Sequence, residues 1–358
     1  MARRKYNKIA PLINGITRPK GIGKMNGYER TCKFVRGEAV DRPPFMPLAI
    51  EWVARNQGIP YPEFIYEPKK RIAAYSACVR KYDFDCVLPD ADFYEQLEDF
   101  GSKPVFDGNG YSAAPIIKDV EDVDHLKLPE YTPGTREGNR LHILRELAKE
   151  FKGEKYIFGI CIGPFTEFCN ARGMEDGMCD LISDEESTAA AMQIFFENDL
   201  HFIDAQLEAG ADGIQIVEPC CSLVAPALYE RTILPLHKKL VERAQKNGGF
   251  ARLHICGDTN HLLPLTLSTG THILDVDSAV DLEKGAMLLG KEQVFCGNLD
   301  PAAEVLSGKP EEFAEKVRGV VQRSGNRTIL VAGCDVPPAT PEENMIAFRD
   351  ACQALANN

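Results

Sequence analysis

The sequence predicts an α/β protein built as a (β/α)₈ barrel of the TIM type with an N-terminal extension. Short apolar runs alternate with longer amphipathic segments along the chain, and there are eight such runs. Strands that alternate with helices indicate a parallel sheet, and eight strand–helix units are the number that closes such a barrel. A doubly wound open sheet is the alternative. The chain has no glycine-rich dinucleotide fingerprint and no Walker-type loop, so the nucleotide-binding forms of that fold are not favoured.

The eight apolar runs are the predicted strands, because buried parallel strands read as short continuous apolar stretches. They lie at residues 45–50, 85–88, 156–161, 213–217, 251–255, 273–276, 294–297 and 328–332. The amphipathic segments between them predict helices at residues 66–82, 139–151, 187–209, 228–246, 304–324 and 341–356. Residues 1–40 are basic and weakly patterned and are interpreted as an N-terminal arm or cap. Residues 41–358 are predicted to form a single barrel domain.

Composition excludes several classes of protein. The 358-residue chain has a net charge of −12, which argues against binding to nucleic acid or to anionic lipid. No apolar run approaches the length that spans a bilayer, and the basic N-terminus is not followed by the apolar stretch of a secretory signal. The 12 cysteines are therefore expected to be reduced thiols in the cytoplasm. The sequence leaves the oligomeric state open, and a homodimer is compatible with it.

Three residues at the ends of predicted strands form a candidate metal site. His254 and Cys256 are two apart at the end of the fifth strand, so their side chains point to the same side. Cys334 follows the eighth strand on the same rim of the barrel, where the catalytic groups of this fold lie. One imidazole and two thiols suit Zn²⁺ and leave its fourth position open. The alternative is that all three side chains pack the barrel.

Other rim residues are candidates for catalysis. Glu218 ends the fourth strand and is predicted to be a metal ligand or a catalytic carboxylate, with a rim salt bridge as the alternative. Asp90 and Tyr94 follow the second strand and are predicted to position substrate or to move a proton, with rim hydrogen bonds as the alternative. Cys220 or Cys221 is a further candidate for the fourth metal ligand. Three more acids lie at strand ends: Asp275, Asp277 and Asp300. Each is either a catalytic group or a helix cap or loop anchor, and the cap or anchor is favoured for Asp300.

Three stretches of the chain resemble the uroporphyrinogen decarboxylase superfamily. They are residues 297–301, which read Gly-Asn-Leu-Asp-Pro, residues 341–344, which read Pro-Glu-Glu-Asn, and residues 52–64. The resemblance covers residues 25–356 and implies the barrel fold.

Two positions depart from the decarboxylases of that superfamily. Ile59 stands where they have the second of two arginines, and Cys334 stands where they have a histidine between two glycines. Buried carboxylates need paired charge, so the loss of an arginine argues against a polycarboxylate tetrapyrrole as substrate.

The departures resemble a second branch of the superfamily, the cobalamin-dependent methyltransferases. This branch includes methylcobamide:coenzyme M methyltransferases and corrinoid-dependent demethylases, and it carries a His-x-Cys…Cys zinc motif that falls on His254, Cys256 and Cys334. Glu218 falls where some members of the wider group have an acidic zinc ligand. The resemblance implies Zn²⁺ as the cofactor. The chain has no corrinoid-binding segment of the Asp-x-His-x-x-Gly type, so the corrinoid is expected on a partner protein.

The function expected from the resemblance is zinc-dependent transfer of a methyl group between a small substrate and that corrinoid. The substrate is a methyl ether, methanol, a methylamine or a thiol. Two directions remain open: a zinc-bound thiolate attacks the methylated corrinoid, or zinc activates a methylated donor for the reduced corrinoid. The alternatives are a decarboxylase or lyase of the uroporphyrinogen type and a non-catalytic zinc-binding barrel.

Overall fold

The computed structural model describes residues 23–107 and 110–357. Its strands are β1 (Cys86–Val87), β2 (Pro104–Asp107), β3 (Gly110–Ala113), β4 (Tyr156–Ile162), β5 (Gly213–Val217), β6 (Phe250–Ile255), β7 (Ile273–Val276), β8 (Val294–Cys296) and β9 (Thr328–Ile329). Seven of them form a central parallel sheet in the order β1-β4-β5-β6-β7-β8-β9, and β2 and β3 form a separate antiparallel pair.

Helices connect the parallel strands, which confirms the α/β class. They are α1 (Gly27–Val35), α2 (Ile50–Asn56), α3 (Tyr61–Tyr66), α4 (Pro68–Tyr82), α5 (Glu95–Asp99), α6 (Arg136–Phe151), α7 (Pro164–Arg172), α8 (Met174–Ser183), α9 (Glu185–Glu208), α10 (Pro226–Leu228), α11 (Leu234–Ala244), α12 (Leu263–Leu267), α13 (Leu282–Ala286), α14 (Phe313–Arg323) and α15 (Glu342–Ala354). Shorter 3₁₀ and π turns lie at Val120–His125, Pro219–Leu223, Tyr229–Ile233, Lys246–Gly248, Pro301–Leu306, Pro310–Glu312 and Leu355–Asn357. None of the helices in the described ranges combines the length and the apolar character needed to cross a membrane.

The first predicted strand, residues 45–50, was wrong. Phe45 makes only an isolated parallel bridge to Leu330, and Ile50 already begins α2. Prolines at positions 43, 44 and 47 flank this bridge. A proline has no N–H to donate to a neighbouring strand, so a regular ladder cannot propagate along this segment.

Residues 44–46 nevertheless lie between the two edge strands of the sheet. The N–H of Met46 donates to the carbonyl of Leu330 at 3.1 Å, and the N–H of Asp85 donates to the carbonyl of Phe45 at 2.8 Å. The described sheet therefore curls almost fully around but does not close through an eighth regular strand.

Proline also explains where the predicted helices are divided. The helix predicted at residues 66–82 begins at Pro68, and α3 is separate from it. The helix predicted at residues 228–246 becomes regular only at Leu234, after the π turn that precedes Pro235. The helix predicted at residues 304–324 is likewise divided, and Asp300 caps its first turn by accepting hydrogen bonds from Ala302 and Ala303, as expected for a cap.

The predicted N-terminal arm is described only in part, because residues 1–22 lie outside the described residues. In the remainder, α1 packs on β1 and β4. Arg30 of α1 is buried and binds Asp41 at 2.7 Å and Asp85, so this helix is tied to the start of the sheet. The domain boundary after residue 40 stays a prediction.

Three buried carboxyl groups lie among helices α6, α7 and α9. They are Glu137, Glu167 and Asp199, and each has at least one oxygen without a hydrogen-bond partner. Neither oxygen of Glu167 has one. Burial raises the pKa of Glu167 well above its usual value, and the neighbouring Asp199 and Glu137 raise it further. Burial and the neighbouring carboxyl groups therefore favour the neutral form of Glu167 in the folded protein.

This burial predicts that Glu167→Gln stabilises the protein at alkaline pH. The unfolded chain releases the Glu167 proton above about pH 4.5, whereas the folded chain retains it, so the wild type loses stability as pH rises from there toward the raised folded pKa. We expect the variant to gain about 1–3 kcal/mol over wild type at pH 8 and much less at pH 5. Urea unfolding at both pH values measures the difference. The control is Glu197→Gln, an exposed glutamate on α9. An equal effect of Glu167→Gln at both pH values would contradict the assignment.

Candidate metal centre

The structure brings His254, Cys256 and Cys334 together. One ligand atom from each residue lies within 4.8 Å of the other two. The Sγ of Cys334 is 3.9 Å from Nε2 of His254. His254 is buried, while the two cysteines are half-buried at the rim. The three donors predicted from the sequence therefore face one point at the carboxyl ends of the strands.

Strand geometry places His254 and Cys256 at this point. In the sheet register His254 of β6 lies opposite Val217 of β5 and Asp275 of β7. Gly257 turns the chain immediately after Cys256, with φ of +88°, a conformation that glycine adopts readily. The Gly257 N–H donates to Oδ2 of Asp277 at 2.9 Å, so Asp277 anchors the loop, which is one of the two roles that the sequence left open for it.

Gly333 brings Cys334 to the same point. Its N–H donates to the carbonyl of Leu299 at 2.7 Å. A Cβ at this position would lie 2.5 Å from the backbone nitrogen of Ser278 and 2.9 Å from backbone atoms of Asp277. The chain after β9 can therefore pass close to the end of β7 only because residue 333 has no side chain.

Asp275 and Arg252 determine the electrostatics around His254. Oδ2 of Asp275 lies 3.0 Å from Nδ1 of His254 and 2.5 Å from Nη2 of Arg252. Burial by itself would lower the pKa of His254, but the Asp275 carboxylate outweighs it and raises that pKa to about 10. Burial would raise the pKa of Asp275, but Arg252 and His254 outweigh it and hold that pKa below its usual range. Asp275 is therefore an ionised acceptor beside the ring.

The two thiols are unequal. A hydrogen bond with Cys334 lowers the pKa of Cys256. The same hydrogen bond, together with burial, raises the pKa of Cys334. The two thiols therefore share one hydrogen bond and do not titrate independently in the metal-free protein.

This donor set fits a divalent zinc ion. Zinc is bound by histidine nitrogen and cysteine sulfur, and a catalytic site keeps three protein ligands and one open position. Two thiolates balance the charge of Zn²⁺. Because the two cysteines are half-buried, one side of the site is open toward the rim. His254, Cys256 and Cys334 are the residues that would hold the ion.

Glu218 lies in a second group, with Cys221 and His237, whose ligand atoms are also within 4.8 Å of one another. Glu218 is fully buried, and the sequence predicted it as a metal ligand or a catalytic group. Val217 lies opposite His254 in the sheet register, so side-chain alternation directs the next residue, Glu218, to the other face. The structure therefore does not bring Glu218 into the group of His254.

The second group forms a saturated hydrogen-bond network. The Glu218 carboxylate accepts from the N–H of Phe165 at 3.2 Å and from the N–H and hydroxyl of Thr166 at 2.9 and 2.6 Å. Its Oε1 lies 3.0 Å from Nε2 of His237, whose Nδ1 lies 2.8 Å from the hydroxyl of Tyr229. Glu218 thus fixes the first turn of α7 against the end of β5.

Asp90 and Tyr94 have partners of their own. Asp90 is buried and accepts from Arg140 at 2.9 Å and from the N–H of Ala91 at 2.7 Å, while its Oδ2 has no partner. Tyr94 is half-buried and packs edge-on against Tyr111, with ring centroids 5.7 Å apart. Their catalytic roles stay predictions.

Sequence reasoning missed Arg252, and it left Asp275 open between a catalytic group and a cap or anchor. The signal for Arg252 was a charged residue inside an apolar strand, two positions before His254 and so on the same face. The pairing of Asp275 with His254 depends on the register of β6 and β7, which a single sequence does not reveal.

A family model described as uroporphyrinogen decarboxylase (URO-D) matches residues 26–355. The chain belongs to the uroporphyrinogen decarboxylase family.

Relatives in this family carry two different names. The chain is 28% identical over 327 residues to "Methylcobamide:CoM methyltransferase MtbA" of Methanosarcina acetivorans, covering 88% of this chain and 94% of the relative. It is 27% identical over 280 residues to "Uroporphyrinogen decarboxylase" of a Geobacter species, covering 76% of this chain and 80% of the relative. A solved structure described as "methyltransferase from Methanosarcina mazei" matches with a TM-score of 0.83 at 22% identity, covering 92% of this chain and 99% of that chain. The similarity to this solved structure shows a shared fold.

The close approach of Gly333 to the backbone of Asp277 and Ser278 predicts that Gly333→Ala disturbs the fold at the candidate metal centre. The added methyl group must displace the end of β7 or the segment that carries Cys334, and we expect a loss of about 1–3 kcal/mol of unfolding free energy. Thermal and urea unfolding measure this loss. The control is Gly319→Ala within α14, where alanine should raise the free energy of unfolding by about 0.5–1 kcal/mol. A Gly333→Ala protein with unchanged stability would refute the steric argument.

Proposed function

We propose that this protein is a zinc-dependent methyltransferase that moves a methyl group between a small substrate and a corrinoid carried by a partner protein. The observation that carries the proposal is the convergence of one imidazole and two thiols at the carboxyl ends of the strands. Similarity to a methylcobamide:CoM methyltransferase over 88% of the chain supports the same reaction class. The proposal takes the fold as a TIM-type barrel in which residues 44–46 occupy the place of the eighth strand.

In this proposal His254, Cys256 and Cys334 hold the metal. A bound Zn²⁺ supplies Lewis acidity, which favours the thiolate of a thiol substrate or stabilises charge on a leaving heteroatom. His254 lies deepest and the two sulfurs lie nearer the rim, so substrate approaches from the side of the half-buried cysteines. Asp90 and Tyr94 are proposed to position substrate or to accept its proton. Asp90 brings one buried oxygen without a partner to that task.

The acceptor or donor is proposed to be a small molecule, a thiol or a methylated compound such as a methyl ether, methanol or a methylamine. The relatives named for coenzyme M favour a thiol acceptor. The corrinoid is assigned to a separate protein because the chain has no Asp-x-His-x-x-Gly segment. We place the enzyme in the cytoplasm, where its thiols stay reduced. A homodimer is compatible with this function.

Decarboxylation of a uroporphyrinogen is the second candidate, supported by the names of several relatives. Two residues disfavour it. Ile59 replaces an arginine, and Asp335 puts a carboxyl group beside Cys334, with its Oδ1 accepting from the N–H of Ile50 at 2.8 Å. A substrate with several carboxylates would therefore meet one arginine fewer and one carboxyl group more than in the decarboxylases.

Metal analysis tests the ligand set. We expect the wild-type protein to purify with about one zinc per chain, and His254→Ala, Cys256→Ala and Cys334→Ala to lose most of it. Inductively coupled plasma mass spectrometry measures the ratio. Cys221→Ala, in the second group, is the matched control and should keep its zinc. Zinc that survives in the first three variants but leaves Cys221→Ala would assign the ion to the group of Glu218 instead.

A transfer assay tests the reaction. The zinc-loaded chain is mixed with a methylated corrinoid protein and a thiol, and separately with a reduced corrinoid protein and methylated donors. We expect the corrinoid absorption spectrum to change in one of the two assays. Chelation of the zinc should lower the rate of that change, and added zinc should restore it. Methyl transfer in neither direction, together with carbon dioxide release from a uroporphyrinogen, would favour the decarboxylase.

A further inference from the structure

A buried chain of polar contacts runs from the core of the barrel to the metal centre. Arg252, Asp275 and His254 are all almost completely buried. Arg252 and His254 are two apart on β6, and Asp275 lies opposite His254 on β7, so all three side chains share one face of the sheet. The chain ends at Nε2 of His254, which lies 3.9 Å from Sγ of Cys334.

A single oxygen atom makes both contacts of this chain. Oδ2 of Asp275 accepts from Nε of Arg252 at 3.0 Å and from its Nη2 at 2.5 Å, and it lies 3.0 Å from Nδ1 of His254. The contact with Nδ1 is not aligned as a hydrogen bond, so it acts mainly by charge. Nδ1 and Nε2 are on opposite sides of an imidazole, and holding Nδ1 at the carboxylate turns Nε2 toward the thiols.

Asp275 is also the only carboxylate that pairs with Arg252 in the described part of the chain. The other neighbours of the guanidinium are Sδ of Met46, 3.4 Å from Nη1, and the ring of Phe158, 5.9 Å from the guanidinium carbon. Sulfur and an aromatic face cannot replace a carboxylate as a counter-charge. Each partner of the pair therefore holds the other in place, and their rotamers are fixed by the barrel core.

We propose that Arg252 and Asp275 are positioning residues that hold His254 with Nε2 directed at the metal centre. This inference rests on the proposed function, because it concerns the same three metal ligands. Arg252 anchors the carboxylate, and the carboxylate orients the ring. Groups that bind the second nitrogen of a metal-bound histidine commonly change metal affinity by about 10–100-fold when they are removed.

Asp275→Asn tests the proposal in the full-length, zinc-loaded protein. The amide keeps the volume of the side chain but removes the charge that holds Nδ1. We expect the dissociation constant for zinc to rise by about 10–100-fold, measured by competition with a chromogenic chelator. We also expect the visible spectrum of the cobalt(II)-substituted protein to shift, because the ring is no longer fixed. Asp275→Glu should recover part of both readouts.

Two further variants separate positioning from loss of folding. Arg252→Met with Asp275→Asn removes both charges, so neither is left unpaired, and it should show the same weakened zinc affinity as Asp275→Asn. Asp199→Asn changes an equally buried aspartate on α9, apart from the metal centre, and should keep wild-type affinity and spectrum.

Folded Asp275→Asn and double variants that bind zinc with wild-type affinity and an unchanged cobalt spectrum would overturn the inference while leaving the proposed function intact. A wild-type protein that binds no zinc would overturn the proposed function itself. The two failures are therefore distinguishable.

Discussion

The candidate site depends on the contacts of the Asp275 carboxylate with two buried side chains, Arg252 and His254. A charge in the core of a barrel is tolerated only when it is paired, and removing one partner of such a pair typically costs about 3–5 kcal/mol. Arg252 supplies the pairing from within the core, and His254 receives the other side of the same carboxylate. The ring that presents Nε2 to the two thiols is thus supported by two almost completely buried charged residues.

Side-chain alternation separates two polar groups that lie at the carboxyl ends of the neighbouring strands β5 and β6. Val217 shares the face of His254, so Glu218 turns to the other face, where it meets His237 and the first turn of α7. The first group is open to the rim through its half-buried cysteines, whereas the second is fully buried and hydrogen-bonded within itself. A metal with an exchangeable position suits the first group, and a structural brace suits the second.

The family supports more than one chemistry on one fold, so the fold alone does not assign the reaction. The relatives named as decarboxylases and as methyltransferases both align over most of this chain. Cys334 places a candidate metal-binding sulfur at the carboxyl ends of the strands, and Asp335 beside it adds a half-buried carboxyl group.

The sequence by itself determined the alternation of strands and helices and the bounds of β5 and β7, and it singled out three residues that meet at one point, His254, Cys256 and Cys334. These follow from local patterns, since apolar runs form buried strands and residues two apart on a strand share a face. Tertiary structure decided the rest. The prolines around Phe45 reduced a predicted strand to one bridge, the register of β5 and β6 turned Glu218 away from the metal centre, and the register of β6 and β7 joined Asp275 to His254. Register and close approach depend on which strands become neighbours, and that is a property of the folded chain rather than of any short stretch of it.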